Sequence, residues 1–164
     1  MTVFQLDQNI NAKDLAKQCN DEGRCSVLRF PRRLVDEDDD VVLPDVLSRP
    51  ATFVTTDRRI IEENPDSVPS HNPGVIVVRT NSKRTLTELI TRRIVSHFKN
   101  MFIDWAHVDW SRLYIEINED DVYVTKLING DIGGGQEIKF NDEEFSEKLS
   151  TAVRTLRAAL PAIS

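Results

Sequence analysis

At 164 residues, with 40% of positions hydrophobic and 29% charged, the chain has the size and composition of one ordinary globular domain with a proper core. Two cysteines, Cys19 and Cys25, lack zinc-ligand spacing and the density of a disulfide scaffold, and no apolar run approaches a membrane span. The net charge of −6 argues against a general nucleic-acid coat.

The start MTVFQLDQN has neither a basic leader nor a signal-type apolar core, so a reducing, cytoplasmic setting without a membrane is expected. Charge is unevenly placed. Residues 51–100 carry eight Lys/Arg against five Asp/Glu, and residues 101–164 carry six against twelve. That asymmetry predicts either one basic face on an acidic protein or a mixed solvated surface.

In chain order, Val3–Leu6 reads as a short buried strand ending on Asp7, with Asn9 two residues later. Ala12–Cys19 has helical spacing, with Leu15, Ala16 and Cys19 on one face and Gly23 as its stop. Cys25–Phe30 is a second strand, followed by Pro31 and the acidic run VDEDDD (35–40). Val42, Leu43, Val46 and Leu47 form a helical stripe over 41–48, with Pro44 expected near the first turn. ATFVTTD (51–57) is a third strand and, like the first, ends on an aspartate. A short helix over Arg58–Glu63 closes at Asn64-Pro65, and GVIVVRT (74–80) gives a fourth strand. Strands that are apolar throughout, alternating with helices, predict a parallel sheet covered on both faces.

Thr85–Met101 is the longest helical pattern, with Leu86, Leu89, Ile90, Ile94 and Phe98 inward. Residues 113–127 read as a hairpin turning at Glu119-Asp120, Gly133–Gly135 as part of a flexible loop, and Asp142–Leu160 as a final helix capped by Asn141 with Glu144. Trp105 and Trp110 are expected to pack beneath the hairpin rather than stack on bases. His71, His97 and His107 have no metal-ligand spacing, and neither cysteine has a base nearby in sequence.

Ligands of open parallel sheets bind at the carboxyl ends of the strands. Asp7 and Asp57 fall at such ends, and Asp39 or Asp40 opens the helix between the second and third strands. Read from spacing alone, these residues are either caps and turns or a site for a hard cation such as Mg²⁺ or Mn²⁺.

The order Leu6-Asp7-Gln8-Asn9, then a helix, then Asp39, then Val54-Thr55-Thr56-Asp57, then Pro73-Gly74-Val75-Ile76-Val77-Val78-Arg79 resembles the PIN-like nuclease family. It is most similar to the compact bacterial members proposed as toxins of toxin–antitoxin modules. The likeness covers residues 3–80 well and the remainder in outline. It implies a three-layer α/β/α fold with a central, mostly parallel sheet, plus a C-terminal β-hairpin and helix. The chain would be one domain: a core over 1–80, a completing helix and hairpin over 81–127, and a loop and helix extension over 128–164.

The same resemblance implies a metal-dependent ribonuclease. Asp7, Asp39 and Asp57 would hold Mg²⁺ or Mn²⁺, or its water, with Asp40 as the alternative to Asp39. Asn9 would orient Asp7, and Thr56 would support Asp57. Read from the residues themselves, Arg58, Arg59, Arg79 and Arg84, with Lys83, Arg92 and Arg93 extending the patch, either contact the RNA backbone or form a solvated helix surface. Arg32 and Arg33 would stand at the cleft entrance. RNA, an antitoxin protein and a second copy are the expected partners. One departure stands out: relatives commonly carry another acid two residues after the last motif aspartate, and here that position is Arg59. A PIN-like module that binds RNA or protein without cutting is therefore the alternative. A receiver-type or nucleotide-binding domain has the right layers but lacks a glycine-rich first loop.

Overall fold

The computed structural model describes residues 2–8, 10, 26–79, 105–118 and 120–163. The expected helices over 12–19 and 85–101, both cysteines, and Asn9, Lys83, Arg84, Arg92, Arg93 and His97 lie outside the described residues.

One sheet of seven strands carries the fold: β1 (Val3–Leu6), β2 (Ser26–Leu28), β3 (Ala51–Thr55), β4 (Val75–Val78), β5 (Leu113–Ile117), β6 (Asp121–Ile128) and β7 (Asp131–Lys139), in the order β2-β1-β3-β4-β5-β6-β7. The first five strands in that order run parallel, and β6 and β7 are antiparallel. This is an α/β architecture with a mostly parallel sheet.

The central parallel strands are largely apolar because both of their faces are covered. Every residue of β3 and β4 is buried. On one face Phe4, Leu6, Val54, Ile76 and Ile115 meet Leu149, Ala152, Val153 and Leu156 of the C-terminal helix. On the other, Phe53, Val75, Val77 and Tyr114 meet Val42, Leu43, Val46 and Leu47 of helix α1 (Asp39–Val46) and its C-cap, and Ile60 and Ile61 of the short helix α2 (Ile60–Glu63). In the first half of β6 Val122 and Val124 are covered while Tyr123 is exposed, and beyond the register shift Leu127 is buried in the cluster on the other face. Trp110 and Trp105 are core residues, the Trp110 indole N–H donating to the Trp105 carbonyl at 3.1 Å.

Several boundaries differ from the sequence expectations. Gly133–Gly135 belong to β7, not to a loop. The turn that precedes them is Asn129-Gly130, with φ of 51° and 81°, the backbone a two-residue hairpin turn requires. The expected hairpin is thus the first half of a three-strand meander. The last helix, α3, spans Phe145–Ala158, and Asn141 does not cap it. Phe140 is still bonded to Asp120 in the sheet, so the chain turns later, where the Asp142 carboxylate accepts the Glu144 amide at 2.9 Å. Helix α1 starts at Asp39, which puts Pro44 in its second turn rather than its first. Helix α2 starts at Ile60 because the Asp57 carboxylate first takes the Arg59 amide in a tight turn.

Candidate functional site

The register of the sheet sets a line of residues along one face near the carboxyl ends of β1, β3, β4 and β5. The Asp7 amide donates to the Val54 carbonyl at 2.9 Å and extends the β1–β3 ladder by one step, bringing Asp7 beside Thr55. Thr55 is opposite Val77, Val77 opposite Glu116, Glu116 opposite Tyr123, and Tyr123 opposite Glu137. Alternation along each strand keeps these side chains on the face that α1 and α2 cover.

Thr55 is fully buried and sits between the two strand-end aspartates. Its hydroxyl donates to Asp7 Oδ2 at 2.6 Å and accepts the Asp57 amide at 3.1 Å. The other Asp7 oxygen accepts the Gln8 amide at 2.7 Å, and Asp57 Oδ1 accepts the Arg59 amide at 3.0 Å. The support expected from Thr56 is therefore given by Thr55. Of the two, Thr55 is the residue whose side chain points to the Asp7 side of the strand, because successive residues alternate.

Asp39 is the first residue of α1 and half-buried, whereas Asp40 is exposed. Of the two residues that VDEDDD offers, Asp39 is the one drawn toward the strand-end aspartates. Burial raises the Asp39 pKa, and the charges of Asp57, Asp7, Glu63 and Asp38 raise it further. Burial likewise pushes the Asp7 carboxyl above its ordinary range, against the Thr55 and Gln8 hydrogen bonds that favour its charged form; the Asp57 charge adds to the upward push. Asp7, Asp39 and Asp57 thus share one electrostatic neighbourhood, and Glu63 joins it from α2.

A reciprocal pair of hydrogen bonds ties the acidic loop to the first strand. The Gln8 side-chain amide donates to Asp36 Oδ1 at 2.9 Å, and the Asp36 amide donates to Gln8 Oε1 at 3.1 Å. Asp36 takes a left-handed backbone, φ 63°, to make this exchange. The clamp fixes the approach of the chain to Asp39.

Among the cationic candidates, Arg58 and Arg59 are exposed on the turn after Asp57. The Tyr114 hydroxyl donates to the Arg58 carbonyl at 3.4 Å. Arg79 follows β4 at the same sheet edge, its Nε 3.8 Å from Glu116. Arg33 does not guard an entrance: it is engaged with both oxygens of Asp45, at 2.7 and 2.8 Å. Arg32 is exposed. His71 and His107 are also exposed and join no group of potential ligands.

The donor set, all carboxylate oxygen, is chemically suited to a hard cation. Among the described residues no three or more Asp, Glu, His or Cys converge closely enough to form a ligand group.

Sequence reading missed Thr55, Glu116 and the Gln8–Asp36 clamp, while Glu63 is one of three acids, with Glu62 and Asp66, that the sequence offers as a further carboxylate. Thr55 had a readable signal, a hydroxyl two residues before an aspartate at the end of a buried strand. Glu116 had another: a charge within the otherwise apolar alternation of LYIEI. No family model, no curated protein and no solved structure was found to match the chain.

Proposed function

We propose that this chain is a divalent-cation-dependent ribonuclease of the PIN-like type. One observation carries the reading: Asp7 and Asp39 both have raised proton affinity through burial and through repulsion that includes Asp57. Carboxylates kept charged in such proximity are stabilised by a shared cation. Asp7, Asp39 and Asp57 would hold Mg²⁺ or Mn²⁺ or its water, and the ion's chemistry would be to activate a water and neutralise charge developing at the phosphoryl group. Thr55 keeps Asp7 turned toward the edge and sets its separation from Asp57. Arg58, Arg59 and Arg79 would contact the RNA phosphates. In the same reading an antitoxin-type protein would restrain the activity.

The test is cleavage of single-stranded RNA by the full chain, with Mn²⁺ or with chelator, alongside Asp7→Asn. Cleavage that requires Mn²⁺ and is lost in the variant is the expected result. Cleavage indifferent to both refutes the proposal.

A second reading, a PIN-like module that binds RNA or protein without cutting it, is favoured by two observations. Arg59 stands where the resembled family commonly carries an acid, and the described carboxylates form no three-ligand group. RNA retained without cleavage in Mn²⁺ would select it.

A further inference from the structure

We propose that the open edge of the sheet at β7 is a docking site for an extended, basic segment of a partner protein. That segment adds as a further strand and lays arginine or lysine side chains against Tyr123 and Glu137.

β7 is the last strand of the sheet, nine residues long and without proline, and all of it except Ile132 and Ile138 is exposed. The Phe140 amide donates to the Asp120 carbonyl on the β6 side. Antiparallel alternation then turns the amides and carbonyls of Glu137 and Lys139 to the open side. Such an edge is a template for another strand unless it is blunted. The backbone irregularity is confined to the first half, and the regular half carries one charge of each sign, Glu137 and Lys139. The register shift opposite Val124 and Lys126, with Gly134 at φ 73°, breaks the ladder near the middle of β7 and leaves Gln136–Lys139 regular. Gly133 and Gly134 project no side chain over the approach to that edge, and a Cβ at Gly133 would meet nothing within 4 Å.

The chemistry beside the edge defines the occupant. The C-terminal helix covers the opposite face of β6 and β7, and on this face the Tyr123 ring is exposed. Its hydroxyl donates to Glu137 Oε2 at 3.2 Å, and Glu116 is its cross-strand neighbour on the other side. Glu116 already faces Arg79 at 3.8 Å, so the ring and the Glu137 carboxylate are what suit a guanidinium or ammonium group, which gains from the ring face and from charge-assisted hydrogen bonds at once. The negative field is felt by the phenol itself, whose pKa is raised first by Glu137 and further by Asp121 and Glu116. A second copy of this chain would bring its own Glu137 and a net charge of −6 to the same edge, so a basic partner is the better match. Strand addition of this kind draws affinity from main-chain bonds and specificity from alternate side chains.

The probe is a blocked six-residue peptide alternating arginine and valine, titrated calorimetrically into the full chain. Two controls accompany it: a peptide alternating glutamate and valine, and one alternating arginine and proline, which keeps the charge but cannot pair as a strand. The expected result is one-to-one binding of the arginine–valine peptide alone, with slowed hydrogen exchange at the Glu137 and Lys139 amides. Glu137→Lys should weaken it about tenfold or more, and Tyr123→Ala about threefold, the size of a lost exposed cation–π contact. Circular dichroism of both variants checks that they remain folded. Binding of the arginine–proline peptide with equal affinity overturns the proposal, as does the absence of binding. So does concentration-dependent protection of the same amides without peptide, which would make a second copy the occupant.

Discussion

The Thr55 hydroxyl gives its only proton to Asp7 Oδ2 at 2.6 Å, across 48 residues of sequence, while its oxygen receives the Asp57 amide. One small buried side chain therefore joins the ends of two neighbouring strands and holds one carboxylate in a fixed rotamer.

Thr55→Val keeps the shape and removes the hydroxyl. It leaves the part-buried Asp57 amide without its acceptor and Asp7 without its shortest bond, so destabilisation of about 1–3 kcal/mol is expected. Thr55→Ser should recover most of it. Urea midpoints of the three proteins check this. Carbon-detected titration of Asp7 should show its pKa rising further in the valine variant, since a bond to the charged form has been removed.

The raised pKa of Asp7 fixes the sign of its pH effect. A carboxyl with greater proton affinity in the folded state than its ordinary value of 3.8 costs stability once it ionises. The cost is absent below the unfolded value, grows as pH rises through the raised folded value and is complete above it. Asp7→Asn, whose side-chain carbonyl still accepts from Thr55, should be more stable than the natural chain at neutral pH and lose that advantage below the ordinary carboxyl range. Denaturant midpoints at three pH values test this. Saturating Mn²⁺ should stabilise the natural chain and leave the variant behind if the acidic edge binds the ion.

Gln8→Ala releases Asp36 from its reciprocal pair. The bonds are exposed, so the change in global stability should be small, about 0.5–1.5 kcal/mol. The local effect should be larger: faster hydrogen exchange at the Asp36 amide, and weaker Mn²⁺ binding because the approach to Asp39 is no longer held. Unchanged exchange at Asp36 would show that the clamp is not a constraint in solution.

Gly130→Ala meets two obstacles together. Its φ of 81° disfavours any side chain, and an added Cβ would fall 2.3 Å from the Pro65 carbonyl oxygen. A loss of at least about 1–2 kcal/mol is expected, and thermal unfolding measures it. Asn129→Asp, which suits the same turn, should change little.

The parallel half of the sheet was legible because its strands are buried on both faces and so read as uninterrupted apolar runs between helices. The strand-end aspartates stood out for the same reason: a charge after such a run marks the sheet edge. β7 was not legible. Its glycines look like a loop, and it is a strand only because β6 supplies a ladder and the Asn129-Gly130 turn sets the register. The missed turn was a failure to weigh a strong local signal. The missed start of α3 came from long range, since the bond between Phe140 and Asp120 holds the chain in the sheet past the residue that local capping rules favoured. Thr55 lay one residue from the threonine chosen, and strand alternation could have separated the two.

Sheet order also has a kinetic consequence. β5, β6 and β7 are consecutive in the chain and consecutive in space, and β6 and β7 are closed by a two-residue turn. β1 lies instead between β2 and β3, paired with segments far from it in sequence. Contacts that close short loops form early, and those that close long ones late. The antiparallel half is therefore the natural starting template, with β1 among the later strands to dock. Asp7 meets Thr55 and Asp57 only at that step, so the repulsion among the acidic side chains arises after most of the sheet is in place to oppose it.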